Sequence, residues 1–85
     1  MIHNLKIKQC YLYHTLEGHK TFEIRKNDRD FQVGDTIHFL PLEDVNYDVY
    51  EYDTSRPTPE YEIRYILSDF SGLQPGWVAM AITPI

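Results

Sequence analysis

The sequence predicts a small, mainly β domain: a five-stranded, mostly antiparallel barrel with one short helix near its N-terminus. Three observations support this fold class. Five short segments have the alternation or the β-branched and aromatic content of strands, one segment has helical spacing, and no strand–helix–strand rhythm recurs. A chain of 85 residues has room for a single core, so we expect residues 1–85 to form one domain.

The strands are predicted at 1–7, 21–25, 36–40, 61–67 and 77–82. In the first strand His3, Leu5 and Ile7 alternate with polar residues, which is typical of a strand with one buried face. In the last strand the even-numbered residues from Val78 to Ile82 are large and apolar, which predicts that this face packs in the core.

The helix is predicted over 10–17. Leu12 and Leu16 stand four residues apart, so they share one face of a helix. Gly18 follows at the position where helices commonly end in a left-handed conformation. The sequence therefore predicts that the chain leaves the helix at Gly18 and enters the second strand directly.

The segment 41–59 has a different composition from the rest of the chain. It combines three prolines with five acidic residues and three tyrosines. That length and polarity predict a protruding loop. The tyrosines offer one alternative function for the whole chain, a protein-interaction module that acts through this loop.

Charge is distributed unevenly along the chain. The net charge of −5 argues against a protein that coats nucleic acid with a broadly basic surface. Residues 1–29, however, hold six bases against three acids, namely Lys6, Lys8, Lys20, Arg25, Lys26 and Arg29 against Glu17, Glu23 and Asp28. A local site for an anionic ligand in this third of the chain is consistent with that excess.

Several classes of protein are disfavoured. No apolar stretch reaches the length of a membrane span, and the N-terminus lacks a basic-then-apolar signal pattern. The lone Cys10 fits a reducing compartment, so we expect a cytoplasmic protein that makes no membrane contact. The histidines form neither a helical pair nor a cluster with cysteines, and we therefore expect no metal and no cofactor.

Three charged residues near the start of the second strand form the strongest candidate site. Glu23 and Arg25 are two residues apart, so they share one face of the strand with Thr21, and Lys20 lies at the strand entrance. In such a row the Lys20 ammonium and the Arg25 guanidinium can bind a phosphate, while the Glu23 carboxylate accepts a hydrogen bond from the amine of a nucleic-acid base. An ion pair that only keeps a surface polar would have the same spacing.

The pattern G-x-K-x-x-E-x-R, formed by Gly18, Lys20, Glu23 and Arg25, resembles the signature of ASCH domains, which share a PUA-like barrel. The run Lys20 to Phe31 and the later Val33-Gly34-Asp35, Gly72-Leu73 and Gly76 are similar to a small bacterial and phage branch of ASCH-like proteins. The resemblance implies a cleft lined by the motif lysine, glutamate and arginine, and a role in binding RNA or a modified nucleotide.

Some ASCH relatives are amidohydrolases that remove an acyl group from modified cytidine, using a lysine, a threonine nucleophile and a later glutamate. The lysine position corresponds to Lys20, and the threonine position corresponds to Glu23. Thr21 lies on the same face, displaced by two residues. The alternative of a small amidohydrolase on acylated nucleosides would therefore use Glu23 as general base and Lys20 to stabilise an oxyanion, with Glu60 or Glu62 as a second carboxylate.

Two further residues complete the predicted ligand-binding set of Lys20, Glu23, Arg25, Arg29 and Trp77. Arg29, in the loop after the second strand, can reach an anion. Trp77 follows a Pro-Gly turn and can act as a stacking platform for a base, although packing against Ala79 and Ala81 explains its position equally well. The leading prediction is a binding domain for RNA or a nucleotide, and the oligomeric state is left open.

Overall fold

The computed structural model describes residues 1–42 and 58–85. Its elements are β1 (Ile2–Ile7), α1 (Gln9–Leu16), β2 (Phe22–Lys26), β3 (Thr36–Pro41), β4 (Glu60–Leu67) and β5 (Trp77–Pro84). All five predicted strands and the predicted helix are present. The strands end within two residues of their predicted limits, and the helix lies one residue earlier than predicted. The mainly β fold class is confirmed.

The five strands of the described part form one mixed sheet in the order β1-β3-β4-β5-β2. β1 pairs with β3 in parallel, whereas the other three pairs are antiparallel. The sheet curves into a half-barrel, with β1 and β2 as its two end strands. The predicted barrel is therefore open along one side, and we call the gap between β1 and β2 the seam.

The core lies on the concave face of the sheet. Its buried side chains come from β1, β3, β4, β5, the helix and Phe31 of the loop before β3, and the largest fully buried ones are Phe39, Leu12, Ile37, Ile63 and Met80. In β1, β3 and β5 the residues that reach this core stand at every second position, as period-2 alternation requires. Each such side chain contributes about 1.5 to 3 kcal/mol relative to an exposed position. Leu12 joins this core from α1.

Helix α1 sets the entrance to β2. Gly18 has a φ of +79°, which confirms the predicted left-handed end of the helix. The N–H of Lys20 then donates to the carbonyl of His14 at 3.0 Å, so the turn delivers Lys20 to the start of β2. Leu12 is buried, whereas Leu16 lies at the surface. None of the helices in the described ranges has the length and apolar character needed to cross a membrane.

The limits of the predicted loop 41–59 are anchored to the sheet. Pro41 is the last residue of β3, and the buried Thr58 donates its hydroxyl to the carbonyl of Phe39 at 2.7 Å. Residues 43–57, with the acids and tyrosines that suggested a protein-interaction module, lie outside the described residues.

Asp35 connects the turn before β3 to β1. Its Oδ2 contacts Nε2 of the buried His3 at 2.8 Å and accepts the N–H of Gln32 at 3.1 Å. The hydrogen bond with His3 is the main cause that holds the pKa of the Asp35 carboxyl below its ordinary value of 3.8. These bonds fix the start of β1 beside the start of β3.

We expect Asp35→Asn to lower the free energy of unfolding at neutral pH by about 1 to 3 kcal/mol, because the carboxylate accepts charge-assisted hydrogen bonds. A carboxyl whose pKa is lower in the folded state stabilises the fold at pH values above its unfolded-state pKa. This stabilisation is lost as the pH falls through its folded-state pKa. The difference in the free energy of unfolding between the native protein and Asp35→Asn should therefore become smaller below about pH 4. Urea unfolding at a series of pH values measures it. Asp69→Asn, at an exposed turn, is the control. A difference that persists at the lowest pH would contradict this role.

Candidate functional site

The charged face of β2 points into the half-barrel. Glu23 pairs with Met80 and Arg25 pairs with Val78 on β5, and both β5 residues are buried. Cross-strand partners share a face, so Glu23 turns inward and is only 4% exposed. Phe22, on the other face, is 49% exposed. A carboxylate thus occupies a position where hydrophobicity alone would place an apolar side chain.

The buried carboxylate is held by two cations. The Lys20 ammonium donates to Oε1 of Glu23, and Nε of Arg25 donates to Oε2 at 2.9 Å. Lys20 also donates to the carbonyl of Phe22 at 2.8 Å. A buried carboxylate is costly unless it is paired and hydrogen-bonded. The three motif residues therefore satisfy one another, and the structure brings them together as one cluster.

Arg25 also bridges the seam. Its Nη2 donates to the carbonyl of Lys6 at 2.8 Å, which joins β2 to β1 across the open side of the sheet. The carbonyl of Ile7 on β1 accepts the N–H of Leu42, which follows β3. Because successive carbonyls of a strand point in opposite directions, the carbonyl of Lys6 points toward the seam. A side chain therefore closes the half-barrel at the position where a ladder of backbone hydrogen bonds would close a full barrel.

Two pockets lie along the seam, one on each side of this bridge. The first has a volume of about 530 Å³ and is lined by Lys6, Ile7, Lys8, Tyr11, Lys20, Phe22, Glu23, Ile24, Arg25 and Leu42. The second has a volume of about 450 Å³ and is lined by Asn4, Leu5, Lys6, Arg25, Lys26, Asp28, Arg29, Phe31, Leu40 and Trp77. Both volumes are within the usual range of small-ligand sites. Lys6 and Arg25 line both pockets.

The fold gathers the positive charge of the chain at the seam. Every one of the six bases found among residues 1–29 lines one of the two pockets, against two acids, Glu23 and Asp28. By contrast Arg64, on β4, lines neither pocket and lies 3.4 Å from Glu62. An acidic protein thus presents a strongly basic groove, which concentrates its field on an anionic ligand.

Exposed aromatic rings lie beside these cations. The ammonium of Lys20 is 5.4 Å from the ring centroid of Phe22, and that of Lys8 is 5.9 Å from the ring centroid of Tyr11. Tyr11 is 50% exposed. In the second pocket Trp77 is half-buried beside Arg29. Cations interleaved with accessible aromatic rings are typical of sites that bind the phosphates and bases of single-stranded nucleic acid.

A model of the family described as a domain of unknown function, DUF3850, matches residues 2–82. The chain belongs to this family. The match covers β1 to β4, α1 and most of β5, and so includes the whole seam. No curated protein sequence matches the chain significantly.

The DUF3850 domain places the predicted site residues in two groups. Lys20, Glu23 and Arg25 meet in the first pocket, while Arg29 and Trp77 line the second, joined to the first through Arg25. Sequence reasoning missed Lys6, Lys8, Tyr11 and Phe22. The alternation of β1 indicated only that its lysines lie outside the core, and no local signal showed that this edge of β1 faces β2.

The groups that a hydrolase would need are distributed differently. Glu60 and Glu62 lie on β4, and neither lines a pocket of the seam. Thr21 is exposed and is also absent from the lining of both pockets. Across residues 1–42 and 58–85, no three His, Cys, Asp or Glu side chains lie close enough together to hold a metal ion. Among the described residues, Glu23 is the one carboxylate of the first pocket.

Glu23→Gln should lower the free energy of unfolding of the DUF3850 domain by about 1 to 3 kcal/mol, because Lys20 and Arg25 lose a charged acceptor that is almost fully buried. Glu62→Gln is the matched control. It removes the same charge from a solvent-exposed pair and should change stability by less than about 1 kcal/mol. Urea unfolding of both variants measures the difference, and equal effects would contradict a structural role for the Glu23 cluster.

Proposed function

We propose that this chain is a binding domain for a nucleotide or a short RNA, and that the first pocket of the seam holds the ligand. The observation that carries the proposal is the collection of six bases and the accessible rings of Tyr11 and Phe22 around the Lys20–Glu23–Arg25 cluster. The ASCH-like pattern of Gly18, Lys20, Glu23 and Arg25 supports the same class of ligand.

Lys20 and Arg25 bind the phosphate in this proposal. An arginine has five N–H donors, and the bonds to Glu23 and Lys6 use two of them, so three remain. A lysine has three donors, and the bonds to Glu23 and Phe22 leave one. Because Glu23 already holds both cations in place, little side-chain entropy is lost when a phosphate binds them.

Glu23 has a second role toward the base. A carboxylate offers about four lone-pair sites, and the two cations occupy one on each oxygen. The remaining sites accept from an exocyclic amine, the group that adenine, cytosine and guanine carry. Tyr11 and Phe22 supply the flat apolar surfaces against which a base stacks.

Binding without chemistry is the function that the geometry favours. The amidohydrolase alternative calls for a second carboxylate in the same cleft as Glu23, and neither Glu60 nor Glu62 lines a pocket of the seam. The position of the threonine nucleophile of the acyl-removing ASCH relatives is occupied by this same Glu23. A direct assay is the release of acetate from an acetylated cytidine, and we expect no turnover.

The proposal is tested by binding of the four nucleoside monophosphates, measured by thermal shift and by calorimetry. A ligand that binds only the folded state raises the melting temperature. Lys20→Ala should weaken binding by about tenfold, because a charged hydrogen bond to phosphate is lost. Arg64→Ala, which removes a base outside the seam, should leave binding unchanged. Absence of binding, or equal loss in the two variants, would overturn the proposal.

A further inference from the structure

We infer that the seam binds single-stranded nucleic acid across both pockets, with two consecutive nucleotides placed one on each side of Arg25. This inference rests on the proposed function and specifies its ligand: an oligonucleotide rather than a mononucleotide. The first nucleotide occupies the pocket of Lys20 and Phe22, and its neighbour occupies the pocket of Arg29 and Trp77.

The continuity of the groove supports a ligand longer than one nucleotide. The two pockets are separate volumes, yet both include Lys6 and Arg25 in their walls. A ligand that fills only one pocket would leave the basic residues of the other unused. A phosphodiester between two nucleosides, by contrast, would lie at the shared Arg25 while each base enters its own pocket.

Each pocket has its own stacking surface. The rings of Tyr11 and Phe22 are accessible in the first, and the indole of Trp77 is partly accessible in the second. Stacking on aromatic side chains requires an unpaired base, so this arrangement selects single strands over duplexes. A rigid duplex would present only its phosphates to the groove.

The distribution of cations matches a chain of phosphates. Lys8 and Lys20 line the first pocket, Lys26 and Arg29 line the second, and Arg25 stands between them. Positive charge therefore follows the seam from end to end. Each additional phosphate that the groove neutralises should add to the salt dependence of binding, with a slope of about −0.7 in log affinity against log salt for each contact.

The experiment compares adenosine monophosphate, the dinucleotide ApA carrying a 5′-phosphate, and a tetra-adenylate by calorimetry, in ribo and deoxy forms. We expect ApA to bind about tenfold more tightly than the monophosphate, or better, because it adds a stacked base and a second set of cation contacts. Preference for the ribo form would assign the site to RNA, and equal affinity would assign it to single strands in general. If a blunt-ended duplex bound as tightly as the single-stranded tetra-adenylate, the two-pocket arrangement would be overturned.

Trp77 provides a readout that only the second pocket controls. It is the single tryptophan of the chain, so its fluorescence reports on that pocket alone. ApA should quench this fluorescence, whereas the monophosphate should quench it far less. Trp77→Phe keeps a smaller stacking ring at a half-buried position outside the core, and it tests the same contact by calorimetry.

Arg29→Ala tests the second pocket without touching the core, since Arg29 is exposed. The ratio of ApA affinity to monophosphate affinity should fall at least fivefold, while Arg64→Ala should leave that ratio unchanged. If ApA binds no more tightly than the monophosphate and leaves Trp77 fluorescence unaltered, the inference is wrong and the proposed function stands. If neither binds, both are wrong.

Discussion

The bond network from Lys20 through Glu23 and Arg25 to the carbonyl of Lys6 holds the open side of the half-barrel, and the arrangement of the seam depends on it. β1 and β2 are the end strands of the sheet, and Arg25 connects them through a side chain. This hydrogen bond gives the two edges a shared anchor. The same contacts place the remaining donors of Lys20 and Arg25 in the pockets, so closure of the fold and formation of the site have one cause.

This arrangement explains why β2 places its apolar residues outward. The register with β5 puts Glu23 opposite Met80, on the concave side of the sheet. Glu23 is tolerated there because two cations pair with it, at a cost in desolvation that an apolar residue would avoid. Phe22 and Ile24 consequently face solvent at the rim of the first pocket, where Phe22 lies beside the Lys20 ammonium. A strand that is poor as a packing element is therefore well suited to a polar site.

Most of the fold could be predicted from local patterns. The alternation in β1 and β5, the spacing in α1 and the left-handed Gly18 are set by neighbours in sequence, and each appears in the structure. The predicted cluster of Lys20, Glu23 and Arg25 is also local, because one turn and one strand position it. Lys6, Lys8 and Tyr11 were missed, since their place beside β2 results from a parallel pairing of β1 with β3 that no local pattern specifies.

The sequence by itself determined the elements, their order and the presence of two faces on β2. It also determined that six of the eight lysines and arginines of the chain lie within its first 29 residues. Only the tertiary structure decided which face of β2 turns inward, because hydrophobicity favours Phe22 and Ile24 in the core while the register with β5 places Glu23 and Arg25 there. Likewise, only the curvature of the sheet brings Lys6 to Arg25, since that contact joins strands at opposite ends of the sheet.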